Sequence, residues 1–265
     1  MQYRLGFIGC GNMAQAIAGG AIERGVIDAS QVIASDPSDT HRRVFADRGC
    51  VTTPDNKAVA AQAAQVVLAV KPQVFPQVAP DLLIGDDSQV LISIMAGLSS
   101  DRINALIGKE CRVVRVMPNT PALVGAGMAG VAICGTAQAG DGDLAKQLFS
   151  AVGEVIELTE PEIDAINAVS GSGPGYLFYF AEAMEQAAIE LGLGEHARRI
   201  VAQTFFGSGK LMVETGDDPA ELRRKVSSPG GTTQAACESM DDANVKQAIA
   251  AAMRVAFERA KELGA

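Results

Sequence analysis

The first forty residues constrain this chain most. Tyr3–Ile8 is a short apolar run, Gly9-Cys10-Gly11-Asn12-Met13-Ala14 follows at once, and residues 16–23 have helical composition. A Gly-x-Gly-x-x-Ala segment between a strand and a helix has a physical logic. The first glycine permits a tight turn, the second lets the backbone approach a pyrophosphate, and the small third residue lets helix and strand pack closely. The helix start then offers N–H groups and the positive end of its dipole to the phosphates. A second apolar run, Gln31–Ser35, ends at Asp36, 22 positions after Ala14. A spacing of about 20 is expected for the acidic residue of a dinucleotide-binding unit. These features predict a βαβ unit that holds a nicotinamide dinucleotide. A glycine turn with no ligand is the bland alternative.

Asp36 leaves the form of the cofactor open. A carboxylate at this place usually bonds the ribose 2′-OH and repels a 2′-phosphate, which favours NAD(H). Arg42 and Arg43, with Ser35 and Ser38 nearby, supply groups for the 2′-phosphate of NADP(H) if Asp36 turns away. The two arginines read equally well as a solvated helix face.

Residues 65–70, 89–95 and 112–117 are continuous apolar runs, cut by Lys71-Pro72, Ala96-Gly97 and Pro118. Such runs fit strands buried on both faces of a parallel sheet, with helices between them. Residues 41–47 read as a helix stopped by Gly49. Strands at 128–134 and 154–158 flank a helix at 143–151. Beyond Glu160-Pro161 the strand pattern ends, and helices are expected at 176–191, 196–214, 219–226, 233–240 and 243–263. The expected fold class is therefore α/β: a Rossmann-type parallel sheet domain at residues 1–161, then an all-α domain at residues 162–265. The 176–191 helix is apolar on most sides. It is either a core helix or one that faces a second subunit.

Composition excludes several function classes. The 265 residues carry a net charge of −9, which argues against a nucleic-acid partner. It leaves room for an anionic cofactor, because helix ends and backbone N–H groups supply a local field. Aromatics are 5% with no Trp, which removes a base-stacking platform. Five cysteines, an odd number with no C-x-x-C pair, point to a reducing cytoplasm rather than a disulfide framework. No signal peptide opens the chain, and no run nears the roughly 18 apolar residues of a membrane helix. His41 and His196, the only histidines, lie in charged, surface-like settings, so no metal site is expected. Asp217-Asp218 and Asp241-Asp242 are expected in turns or at helix starts rather than on a metal.

Several segments share one resemblance. GFIGCGNMA (6–14), AVKP (69–72), MAG (95–97), MPNTPALVGAG (117–127), SGSGPGY (170–176) and VSSPGGTT (226–233) together resemble the Δ1-pyrroline-5-carboxylate reductase family, in the same order over nearly the whole chain. SSPGGTT with its upstream helix is the most specific of them. The resemblance implies a reductase that uses NADPH or NADH to convert a cyclic imine to L-proline, the last step of proline biosynthesis. It implies a helical dimerisation domain that interlocks two subunits, commonly within a ring of five dimers. By position it places Gly9, Cys10, Gly11, Asn12 and Met13 in the phosphate loop. Ser35, Asp36 and Pro37 would meet the adenine ribose, and Asn56 the adenosine side. Val70, Lys71, Pro72, Ala96 and Gly97 would line the nicotinamide half. Many family members carry a small neutral residue where this chain has Asp36. Read from the residues alone, Lys71-Pro72 and Ala96-Gly97 are strand ends, and Asn56 is a turn or N-cap residue. Asn119 either helps place the nicotinamide or caps the loop backbone.

Ser227–Thr233 precedes a helix. Glycines followed by hydroxyl residues there make either a pocket for a carboxylate or an ordinary Ser/Thr N-cap. The resemblance implies that Ser228 and the backbone of Gly231, Thr232 and Thr233 hold the substrate carboxylate. It sets the Thr233 hydroxyl against the ring nitrogen as the catalytic orienter and proton donor. A protonated imine is already electrophilic, so hydride transfer to it needs no strong base, in keeping with two surface histidines. The competing readings are a β-hydroxyacid dehydrogenase, with Lys210 as its catalytic lysine, and a non-catalytic nucleotide sensor. An intact SSPGGTT segment counts against both. Glu160 either faces the substrate side or serves a helix start. SGSGPGY supplies a bend and a helix start, and the resemblance adds an approach to the nicotinamide or to a partner subunit.

Overall fold

A computed structural model describes residues 1–264, with side chains through residue 262. The described chain divides into two compact units. One comprises residues 1–172 with the end of the last helix from Ala256, and the other residues 173–255.

In the first unit, β1 (Tyr3–Ile8), α1 (Asn12–Glu23), β2 (Val32–Ser35), α2 (Asp39–Ala46), β3 (Val51–Thr53), α3 (Asn56–Gln62) and β4 (Ala63–Leu68) form one half of a doubly wound layer. Then come α4 (Phe75–Val78), β5 (Val90–Ser93), α5 (Ser100–Ile107), β6 (Arg112–Met117), β7 (Gly127–Gly135), α6 (Asp143–Ser150), β8 (Gly153–Glu157) and α7 (Glu160–Ile166). The eight strands lie in the order β3-β2-β1-β4-β5-β6-β7-β8. The first six run parallel. β7 returns antiparallel to β6, and β8 runs parallel to β7. The connection from β6 to β7 spans only residues 118–126. That is shorter than the dozen or more residues a parallel crossover needs, so the chain reverses.

Successive residues of a strand point to opposite faces. Leu5 and Phe7 join one apolar core with Ile17 and Phe45, while Ile8 joins the other with Ile33, Val66 and Leu68. Burial on both faces is why β1, β4 and β5 read as unbroken apolar runs. The strand order reverses between β1 and β4, so the carboxyl ends of these strands frame the crevice where ligands bind in open α/β sheets.

The second unit is helical: α8 (Gly173–Glu190), α9 (Ala197–Thr215), α10 (Pro219–Lys225), α11 (Thr232–Asp242) and most of α12 (Val245–Gly264). Asn244, with φ of 57°, separates the last two, a backbone region that asparagine tolerates. Asp241 and Asp242 end α11 rather than start a helix, and Asp241 pairs with Lys246 at 2.7 Å. Asp218 does cap α10, accepting the Ala220 N–H at 2.8 Å. Of residues 173–255, only Pro174, Ala188, Ala197 and Val201 are buried. Phe178, Tyr179, Leu191 and Val213 are 64%, 76%, 81% and 79% exposed. An apolar surface this extensive marks an interaction surface. Among the described residues, no helix is long and apolar enough to cross a membrane.

Candidate active site

The glycine loop leaves the carboxyl end of β1. Gly9 has φ of 97°, and its N–H donates to the Ser35 carbonyl at 2.8 Å. A Cβ at Gly9 would lie 2.7 Å from the backbone oxygen of Ala69, so the turn passes against the chain leaving β4. Gly11 differs. Its φ of −70° suits any residue, and a Cβ there meets no atom within 4 Å. It is the N-cap of α1, no side chain caps that helix, and no acidic residue lies in its first turn. The first-turn amides thus face outward beside a backbone that no Cβ shields. That is the arrangement a pyrophosphate requires.

Asp36 is buried and turned toward this loop. Its Oδ2 accepts the Cys10 N–H at 2.9 Å, and its Oδ1 accepts the Ser38 N–H at 2.9 Å. His41 Nδ1 lies 3.3 Å from the same Oδ1. Arg42 donates to the Asp36 carbonyl and pairs with Asp39, so it shapes the turn, while Arg43 is exposed. Pro37 is exposed at the same turn. Burial first, then the Asp36 carboxylate, push the Cys10 thiol up to about 12, which keeps it protonated and inert.

Asn56 is the first residue of α3 and does not cap it; Asp55 does, accepting the Lys57 N–H at 3.0 Å. The Asn56 side chain instead accepts from Ser35 Oγ at 2.8 Å and donates to Asp81 at 3.2 Å. Val70, Lys71 and Pro72 follow β4, and Ala96 and Gly97 follow β5, with Gly97 at φ of 79°. The residues assigned to the cofactor thus gather along the carboxyl ends of β1, β2, β4 and β5 and the start of α3. Asn119 caps loop backbone: it accepts the Met128 N–H at 2.9 Å and donates to Ser170 Oγ at 3.1 Å.

In the helical unit, Ser228–Thr233 forms a turn onto α11. Gly230 has φ of 69°, and the Gly231 N–H donates to the Ser228 carbonyl at 2.9 Å. Gly231 is the N-cap in an extended conformation, with no side-chain cap. Ser228 Oγ lies 2.4 Å from where a Gly231 Cβ would be, so this hydroxyl sits over the helix start. Thr232 and Thr233 open the first turn, Thr233 half-buried. One hydroxyl and a run of uncapped amides can take a carboxylate. Lys210 is exposed and pairs with Glu214 one turn on, an ordinary helix-surface ion pair. His196 is exposed, and no metal-binding group of His, Cys, Asp and Glu occurs among the described residues.

A buried ionic cluster was not anticipated. Arg115 on β6 is 3% exposed and pairs with Glu160 at 3.3 Å and Asp164 at 3.2 Å on α7. Glu160 also accepts from the Ser100 N–H and hydroxyl, at 2.7 and 2.8 Å, so it serves the start of α5. The signal was present: an arginine inside the apolar run RVVRVM needs a buried counterion. Burial acts to raise the Glu160 carboxyl, but the Ser100 hydrogen bonds and the Arg115 charge outweigh it and hold it below the ordinary glutamate range. Its stabilisation is therefore complete above that range and is lost as pH falls through the lowered value. Glu160→Gln is expected to cost about 2 kcal/mol at neutral pH and to flatten the acid limb of stability, as read by denaturant melts from pH 7 to 3.

A doubly wound sheet with an uncapped helix behind a glycine loop, on a chain that also carries a helical unit, defines a dinucleotide-dependent oxidoreductase. The family model for pyrroline-5-carboxylate reductase dimerisation matches residues 160–263, and that for coenzyme F420-dependent NADP oxidoreductase matches residues 4–97. The pyrroline-5-carboxylate reductase of Haemophilus influenzae is 41% identical over 99% of this chain and 98% of its own. The solved structure of a pyrroline-5-carboxylate reductase from Coxiella burnetii has a TM-score of 0.90 at 37% identity, covering 100% of both chains. The Plasmodium falciparum pyrroline carboxylate reductase with NADP bound has a TM-score of 0.87 at 30% identity, covering 99% of this chain and 98% of its own. The chain belongs to the pyrroline-5-carboxylate reductase family. The match to the dimerisation model supports homo-oligomerisation.

Proposed function

We propose that this protein reduces the C=N bond of Δ1-pyrroline-5-carboxylate to give L-proline, with NADPH as reductant and NADH as a second one. The observation that carries the substrate half is the start of α11, where Ser228 Oγ overhangs an N-cap that no side chain occupies. The dinucleotide supplies hydride to the imine carbon when bound. The residues of the chain bind and orient. The α1 amides and the loop from Gly9 to Met13 hold pyrophosphate, while the segments after β4 and β5 line the nicotinamide half. Ser228 and the amides of Gly231, Thr232 and Thr233 hold the substrate carboxylate. The Thr233 hydroxyl aligns the ring nitrogen and keeps its proton in place, so that the carbon stays electrophilic.

The exposed apolar helices support a homodimer through the helical unit; a ring of five such dimers and a cytoplasmic location complete the proposal. Sedimentation is expected to give a dimer or a multiple of it at micromolar concentration, and a monomer would count against this part. Activity is tested by mixing the protein with pyrroline-5-carboxylate and either cofactor and following the reduced-nicotinamide absorbance. Substrate-dependent loss is the expected result. No loss with either cofactor would remove the proposal.

A further inference from the structure

We infer that Asp36 is a positioning residue for the phosphate-binding loop, not the ligand of the adenosine ribose, and that His41 on α2 selects the 2′-phosphorylated cofactor. This inference rests on the dinucleotide reading above.

Asp36 is 9% exposed. Oδ2 takes the N–H of Cys10, the residue between the two glycines of the loop, and Oδ1 takes the N–H of Ser38, the N-cap of α2. One carboxylate therefore ties the loop after β1 to the turn after β2. A carboxylate that serves a ribose diol must present its oxygens outward. Here each oxygen already holds a backbone N–H and the residue is buried, so bringing both oxygens to a ribose diol would cost the Ser38 and Cys10 amides their partners. The usual argument that an acid at this position repels a 2′-phosphate is weakened accordingly.

His41 covers the outer side of the same group. Its Nδ1 is 3.3 Å from Asp36 Oδ1, and its side chain is 49% exposed. With Nδ1 directed at the carboxylate, the opposite ring nitrogen points away from it. A doubly protonated ring between Asp36 and an incoming phosphate would donate to each, one N–H to either side. Arg42 is committed to the Asp36 carbonyl and to Asp39, so His41 is the side chain in contact with the Asp36 carboxylate that keeps a polar edge to offer.

The test is equilibrium binding of NADPH and NADH, read by cofactor fluorescence, so that turnover is not required. His41→Ala is expected to weaken NADPH about tenfold and to leave NADH within about twofold. Asp36→Ala is expected to weaken NADH about tenfold and NADPH at least as much, because it frees the loop, removes no ribose contact and leaves the His41 ring without its partner. Asp36→Asn, with one carbonyl oxygen for two amides, should fall between, and serves if the alanine variant fails to fold. His41→Ala should melt like the parent chain, since the ring is half exposed. Asp36→Ala or Asp36→Asn that weakens NADH alone and tightens NADPH would identify a ribose ligand and overturn the first half. His41→Ala that moves both cofactors equally, or neither, would overturn the second. Failure of the parent chain to bind either dinucleotide would overturn the proposed function itself, and this inference with it.

Discussion

Gly9→Ala is expected to weaken dinucleotide binding about a hundredfold and to lower folding stability by about 2–4 kcal/mol. The residue sits at φ of 97°, and an added Cβ would fall 2.7 Å from a backbone oxygen of Ala69, which no rotamer change relieves. The loop must lift away from the end of β4, and the start of α1 moves with it. Binding follows the helix start because the amides act as a set, and displacement of about 1 Å is enough for such a loss. Gly11→Ala provides the internal control. Its φ of −70° accepts alanine and its Cβ meets no atom within 4 Å, so stability should change by less than about 1 kcal/mol while binding still falls. That outcome would assign the first glycine to the fold and the second to close approach of a phosphate. Titration with NADPH together with thermal melts checks both. A Gly9→Ala protein that binds within threefold of the parent would contradict the geometry, as would a Gly11→Ala protein that loses stability instead of binding.

Thr233→Ala is expected to lower kcat/KM for the cyclic imine about a hundredfold with little change in folding. Thr233 lies in the first turn of α11, and the N-cap of that helix uses no side chain, so removing the hydroxyl breaks no cap. Thr233→Ser keeps the hydroxyl and should restore activity to within about fivefold. The pair separates alignment of the ring nitrogen from the packing of a β-branched residue. Parent-like kcat and KM in Thr233→Ala would exclude the assigned role.

Much of the sheet was legible because strands buried on both faces are written as unbroken apolar runs. β3 was not: Val51–Thr53 is a three-residue edge strand, two of whose residues are threonine. α3 and α5 are short helices whose apolar residues are too few to show a period, so each was passed over. The antiparallel turn into β7 depended on a connection length that only exact strand ends reveal. The turn at residues 228–233 does open a helix as expected, but its residues alone left a carboxylate pocket and an ordinary N-cap equally open, and only the family resemblance pointed to a substrate. The orientation of Asp36 was hidden. Its spacing announces a ribose ligand, but which lone pairs remain depends on how the loop from β1 comes to rest beside it. The Arg115–Glu160–Asp164 cluster joins residues 45 and 49 positions apart, a pairing that sequence order does not display.

The proposed reaction delivers hydride to the imine carbon of a five-membered ring that carries a carboxylate. NADPH deuterated at the transferring position of the nicotinamide, incubated with pyrroline-5-carboxylate and the protein, tests it most directly. Mass spectrometry should find proline with one deuterium, at the ring carbon beside nitrogen that was doubly bonded in the substrate. No proline, or proline free of label with cofactor of either face deuterated, would contradict the account.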